Sequence, residues 1–188
     1  QSSHRLDAGQ QPIIYNVMNF AKPPKGEVAL LSLDDAHTLF HEFGHALHGL
    51  LSDVTWPAIS GTAVSRDFVE LPSQLYEHWL TERPVLEKFA THYKTGKTIP
   101  QDLIDKVLKA ATFNAGFNTV EFTSSALVDM AFHTSDKPVT DPLAFEAEVL
   151  KKLDMPEAII MRHRTPHFLH VFSGDGYSAG YYSYMWSE

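Results

Sequence analysis

The chain has 188 residues, 44% of them apolar, and a formal net charge of −8. That length and composition allow one sizeable core and exclude disorder, and the acidic balance argues against general nucleic-acid binding. There is no cysteine, so disulfides and thiolate metal sites are excluded and any metal must be held by nitrogen and oxygen. No apolar run approaches the ~18 residues of a membrane span, the N-terminus has no signal-peptide pattern, and the expected location is cytoplasmic.

The expected elements are mainly helical. Asn16–Phe20 and Glu27–Leu31 flank Pro23-Pro24-Lys25-Gly26 and read as two short strands joined by a turn, a small β-hairpin. A strand beside the next helix could pair with an extended peptide. Ser32 and Asp35 form an S-x-x-D start signal for a helix from about Leu33 to Leu51. Its apolar residues, among them Leu39, Phe40, Phe43, Leu47 and Leu50, predict that it is largely buried. Pro84 opens a helix that Gly96 can end, and Pro100 opens another. Phe113, Phe117, Val120, Ser124, Leu127 and Ala131 recur every three or four residues, predicting a buried helical stripe. Asp141-Pro142 starts one more helix, through about Leu153. No repeat, low-complexity stretch or internal domain boundary is evident.

The chemistry concentrates in His41-Glu42-Phe43-Gly44-His45. At about 3.6 residues per turn, His41 and His45 stack on one helical face and can bind one metal ion. Glu42 is rotated about 100° from His41 and can act on a water molecule rather than ligate. Zinc lowers the pKa of a bound water to about 7, and the carboxylate accepts the proton as the water attacks a carbonyl. A catalytic zinc wants a third protein ligand and an open position. Leu51 and His48 stand where a downstream ligand histidine and its preceding glycine would be in the H-E-x-x-H-x-x-G-x-x-H pattern, so that pattern fails. The acidic residues that follow, Asp53, Asp67, Glu70 and Glu77, leave the third ligand open on spacing alone. His37 and His48 read as packing or supporting groups, and Gln74, four residues after Glu70, could orient that carboxylate. His163, His167 and His170 could suggest a second metal, but Pro166 breaks their helical spacing.

Near the end of the chain, Ser173-Gly174-Asp175-Gly176 is rich in turn residues, with Tyr177, Tyr181, Tyr182 and Tyr184 close behind. A phenol is a donor at neutral pH, and a donor aimed at a developing oxyanion is worth about 2.7–4 kcal/mol. A glycine loop can bring it in after substrate binds. Tyr181 and Tyr182 read more readily as core packing.

Three ordered blocks, His41–His48 (HEFGHALH), Gly61-Thr62 with Asp67–Gln74 (DFVELPSQ), and Gly176–Trp186, resemble the thimet oligopeptidase family of zinc metallopeptidases, which includes bacterial oligopeptidases and peptidyl-dipeptidases. The resemblance spans nearly the whole chain. It implies that Glu70 is the third zinc ligand beside His41 and His45, with one Zn2+ per chain and Glu42 as general base. It further implies catalytic roles for Tyr177, Tyr184 and the nearby His170. Where the family has Gly-Gly-Tyr, this chain has Gly174-Asp175-Gly176-Tyr177, an inserted or substituted residue. The implied fold is mainly α, a zincin-like helical core with a small hairpin or sheet near the active helix. Full-length members are several times longer and enclose zinc in a channel between two lobes. Residues 1–188 are therefore expected to form a single catalytic-core fragment that hydrolyses short peptides and partners with the remainder of its enzyme, without nucleic acid or membrane. The alternative is an inactive fragment that keeps its fold and binds peptide or metal. The intact Glu42 speaks for the enzyme, since a retired site is free to lose its base. A hydrolase of non-peptide amides fits the extended blocks less well.

Overall fold

Ser32 starts the first long helix as its pattern requires. Its hydroxyl accepts the Asp35 amide at 3.0 Å while Asp35 accepts the Ser32 amide at 2.9 Å, a reciprocal capping box. The computed structural model describes residues 11–188 and is mainly helical. No helix among the described residues is long and apolar enough to cross a membrane.

The chain divides into two compact units, Gln1–Ala110 with Ser187–Glu188, and Ala111–Trp186. In the first unit, helix α1 (Leu33–Leu50) packs on α3 (Leu71–Thr81). A one-turn helix α2 (Arg66–Val69) leads into α3, and α4 (Arg83–Phe89) and α5 (Gln101–Ala111) follow. Pro84 sits in the first turn of α4, where its missing N–H costs nothing. Gly96 lies at φ +67° in the turn beyond it.

The close approach of α1 and α3 rests on a glycine. A Cβ at Gly44 would lie 2.6 Å from the Pro72 carbonyl oxygen and 2.6 Å from the Ser73 Cα. Both are backbone atoms and neither can swing aside, so the absence of a side chain at position 44 sets the distance between the two helices.

The second unit is built on α6 (Ala115–His133) and α7 (Pro142–Lys152), followed by the short helices α8 (Leu169–Phe172) and α9 (Ser183–Ser187). Asp141 caps α7 by accepting the Ala144 amide at 3.0 Å. Its core joins Ala126, Phe168, Val171 and Tyr181, with Phe122, Tyr177 and Tyr184 packed against them. Two buried carboxylates anchor loops here. Glu146 accepts the Thr165 amide and hydroxyl, both at 2.8 Å, and pairs with Arg164. Asp129 accepts the amides of Ala179 and Tyr181, both at 3.0 Å.

Three expectations need correction. No β-hairpin forms: the turn is present, with Glu27 donating to the Pro24 carbonyl at 3.0 Å, but Asn16–Phe20 and Glu27–Leu31 make no ladder. The sole β-pairing among the described residues is an isolated bridge between Thr91 and Thr98. A tight turn aligns two segments, but it does not supply cross-strand side-chain contacts. Second, α1 is not largely buried. Only Gly44, Ala46 and Gly49 are, while Phe43 is 43% and Leu51 76% exposed. Within its unit, α3 is the principal helix packed on α1, and it covers one face. Third, the expected stripe of α6 is not its buried face: Ser124 is buried and Ala131 half-buried, but Phe113, Phe117, Val120 and Leu127 are exposed. The buried residues are Ser124, Ser125, Ala126, Val128 and Asp129. Periodicity of apolar residues selects the wrong face when the inward face carries hydrogen-bonded polar groups.

Candidate functional site

His41 and His45, one turn apart on α1, present their Nε2 atoms to the same carboxylate. Glu70 Oε2 lies 3.3 Å from His41 Nε2 and 3.1 Å from His45 Nε2. One ligand atom from each of the three residues falls within 4.8 Å of the others, the one such group of three among the described residues. Two imidazole nitrogens and a carboxylate oxygen are a donor set that zinc takes. With bonds of about 2.0–2.1 Å, neighbouring donors on a tetrahedron stand about 3.3 Å apart. The observed separations therefore fit a shared cation.

Glu70 is placed by a break between helices. It closes α2 and begins α3, with Pro72 fixing the first turn that follows. It is 2% exposed. Ser73, wholly buried, holds it: the hydroxyl lies 2.8 Å from the Glu70 carbonyl and 3.0 Å from Oε2. Gln74, the residue expected to orient this carboxylate, has no side-chain hydrogen bond to it of the kind Ser73 makes, and its Oε1 is buried without a partner among the described residues. In helix geometry the residue three positions on returned the hydroxyl to Glu70, and a short side chain reached it.

On the far side of His41, Nδ1 donates to Glu77 Oε1 at 2.6 Å. This fixes the tautomer that leaves Nε2 facing Glu70. The second Glu77 oxygen lies 3.3 Å from His37 Nδ1, so His37 supports the support. Burial disfavours charge on His41, but hydrogen bonds and attraction from Glu70 and Glu77 outweigh it and raise its pKa to about 9. A metal-free site thus holds a proton where a cation would sit. Burial acts against Glu77 too, yet His41 and His37 hold its pKa below the ordinary value. His45 has no such carboxylate: its Nδ1 is buried and unpartnered among the described residues.

Glu42 is not one of the three converging residues; it lines a cavity of about 280 Å³ with Met18, Asn19, Phe20, Asp35 and Thr38. His48 is not in the cluster. Its ring meets Phe68 edge-on at 6.0 Å beside an apolar cavity of about 540 Å³, where burial and the neighbouring His45 lower its pKa. Asp53 and Asp67 are likewise outside it.

In the second unit, Tyr177, Tyr184 and His170 come together. The two phenol rings stack with centroids 5.8 Å apart and planes 6° from parallel. The Tyr184 hydroxyl lies 2.8 Å from His170 Nε2, and the His170 ring is 4.5 Å from that of Tyr177. The extra residue in Gly174-Asp175-Gly176 therefore does not separate His170 from the tyrosines. Tyr181 is core, stacked on Phe122 at 4.7 Å, whereas Tyr182 is half-exposed. His163 stacks on Phe168 at 5.0 Å, and the three late histidines form no metal group.

Sequence reasoning missed Gly44, Ser73 and Asp129, and it listed Glu77 only among possible ligands. The i, i+7 spacing of Glu70 and Glu77 was a usable signal, because it puts two carboxylates two turns apart on one helix face.

A model of peptidase family M3 matches residues 1–188. Among curated proteins, dipeptidyl carboxypeptidase of Escherichia coli (strain K12) is 45% identical over 181 residues, covering 94% of this chain and 26% of its own length. Oligopeptidase A of the same organism is 39% identical over 184 residues, covering 95% of this chain and 27% of its own. Mitochondrial intermediate peptidase of Arabidopsis thaliana is 34% identical over 180 residues, with 95% and 25% covered. The chain spans about a quarter of the length of these relatives.

Proposed function

The chain belongs to peptidase family M3, and from that premise we propose that it is the zinc-bearing catalytic portion of a longer enzyme that hydrolyses peptide bonds in short peptides. The observation that carries the reading is the convergence of His41, His45 and Glu70 on one point, with Glu42 next to His41 in the chain. These three residues would hold one zinc ion. When bound, zinc supplies Lewis-acid polarisation of the scissile carbonyl and of the attacking water.

Glu42 accepts a proton as the water oxygen forms its bond to the carbonyl carbon. It returns that proton to the leaving nitrogen as the C–N bond breaks. Glu77 keeps His41 in the tautomer and orientation that ligation needs, and Ser73 does the same for Glu70. Tyr177 and Tyr184 donate hydrogen bonds to the oxyanion that develops on the carbonyl oxygen, and His170 sets the direction of the Tyr184 hydroxyl. The relatives' names, dipeptidyl carboxypeptidase and oligopeptidase A, support short peptides as the substrate class.

The test is Glu42→Gln in the full-length enzyme. The amide has the shape of the carboxylate but cannot take the proton, so zinc content should stay stoichiometric while hydrolysis of a quenched peptide is lost. Turnover near the wild-type rate would remove Glu42 from its role. Loss of zinc along with activity would make it a ligand instead.

A further inference from the structure

The mechanism above uses three residues of the second unit and leaves a fully bonded buried carboxylate, the one that holds the tyrosine segment, without a role. Asp129, in the last turns of α6, is 1% exposed. Its Oδ1 accepts the Ala179 amide at 3.0 Å and pairs with His133 Nδ1 at 2.8 Å. Its Oδ2 accepts the Tyr181 amide at 3.0 Å. Both oxygens are therefore committed, and both backbone bonds go to the segment between Tyr177 and Tyr184.

That segment also carries local bonds and one strained residue. Gly180 donates to the Tyr177 carbonyl at 2.9 Å, and Ala179 sits at φ +55°, a left-handed conformation that a residue with a Cβ adopts at a cost. The amides on either side of Gly180 turn toward one anion, a side chain from a helix 50 residues away in sequence. The carboxylate compensates the strained turn and ties it to a rigid element. The two tyrosines at the ends of the turn then stack on each other with nearly parallel rings.

We propose that Asp129 is a positioning residue: by clamping the Ala179 and Tyr181 amides it fixes the turn that places the Tyr177 and Tyr184 hydroxyls for the reaction. This rests on the reading of those tyrosines as oxyanion donors. His133 completes the clamp. Its Nδ1 bonds the Asp129 carboxylate and its ring stacks on Phe172 at 5.2 Å. The role differs from that of Glu146, which anchors Arg164 and Thr165 ahead of His170 and touches neither tyrosine segment.

The test compares Asp129→Asn, Tyr184→Phe and their double variant in the full-length enzyme, with amide hydrogen exchange as an independent readout. Asp129→Asn keeps the shape and replaces one acceptor oxygen by a donor, which opposes an incoming amide. Zinc content should be unchanged, KM should stay within about threefold, and kcat should fall about 10- to 100-fold, the scale of a small misplacement of reacting groups. Exchange across residues 177–184 should quicken. The double variant should lose less than the product of the two single losses, because displacement of the Tyr184 hydroxyl no longer counts once it is absent, while displacement of Tyr177 still does. Unchanged kcat with quickened exchange would overturn the proposal, and so would fully additive losses. If Asp129→Asn does not fold, wild-type exchange decides: Ala179 and Tyr181 amides exchanging as fast as free peptide would exclude the clamp. Should Tyr177→Phe and Tyr184→Phe both keep wild-type kcat, the donor reading fails, while the exchange rates still report whether Asp129 holds the turn.

Discussion

The His-His-Glu cluster of the first unit and the tyrosine cluster of the second are assembled in opposite ways. The first is made by regular elements. Two histidines sit one turn apart on α1, the glutamate sits where α2 meets α3, and a glycine lets the helices approach until their side chains converge. The second is made by an irregular turn, bent around a carboxylate from α6 and carrying a strained Ala179. A helix repeats its geometry without side-chain help, so the first site needs only fine adjustment from Ser73 and Glu77. A turn has no ladder of that kind, and the second takes two of its amide bonds from one buried anion. Changes to supporting residues should therefore be graded in the first unit and concentrated at one position in the second.

The largest expected effect on the first cluster comes from Glu77→Gln. Removing a carboxylate that orients a ligand histidine typically costs 10- to 100-fold in metal affinity. The effect should depend on pH with a definite sign. In the metal-free protein His41 keeps its proton up to about pH 9. Metal must displace that proton, so apparent affinity should rise between pH 7 and 9 and level off above. In Glu77→Gln the levelling should come at lower pH, since one of the two raising carboxylates is gone. The same shift bears on folding without metal. A raised histidine pKa contributes stability that is full below the unfolded value of 6.5 and is lost as pH rises through about 9. Titration calorimetry across this range measures the slope, and an affinity independent of pH would show that His41 is not protonated in the free site.

This distribution also explains what could be read from sequence. The α1 start was legible because Ser32 and Asp35 are three residues apart and their bonds are local. His41 and His45 were legible because helical period alone brings them together. Glu70 was open on spacing and came only from the resemblance, since its approach depends on how two helices cross. Gly44 was in full view inside the motif, but nothing local marks it as the contact point with Pro72 and Ser73. Asp129 was invisible for a deeper reason. An acidic residue in an amphipathic pattern reads as solvent-facing, and its true partners lie 50 and 52 residues downstream. The absent hairpin is the converse case: local turn signals were correct, yet pairing is not a local property.

A smaller effect is expected from Gly44→Ala. The new Cβ meets backbone at 2.6 Å, so α3 must retreat from α1. Overpacking of this kind costs about 1–3 kcal/mol of stability. It should also weaken metal binding, because Glu70 moves with the start of α3 while His41 and His45 stay on α1. Thermal unfolding with and without added zinc separates the two losses. A Gly44→Ala protein with wild-type metal affinity would show that α3 tilts about its N-terminus and leaves Glu70 in place.

The smallest effect sharpens the contrast between helix-built and turn-built sites. Ser32→Ala removes one half of the capping box at the start of α1, nine residues before His41. An N-cap loss costs about 1 kcal/mol, felt as fraying of the first turn. Thr38 and the residues beyond it remain in continuous helix, and Phe40, Phe43 and Gly44 meet α3 through Tyr76, Pro72 and Ser73. Metal affinity should therefore stay within about twofold while the unfolding midpoint falls by a few degrees. The comparable loss of one terminal anchor in the second unit, at Asp129, is expected to reach the tyrosines directly, because no helical ladder stands between the anchor and the groups it places. A Ser32→Ala protein that loses metal along with stability would mean that α1 is not rigid on its own, and that the first cluster leans on its helix end as much as the second leans on its carboxylate.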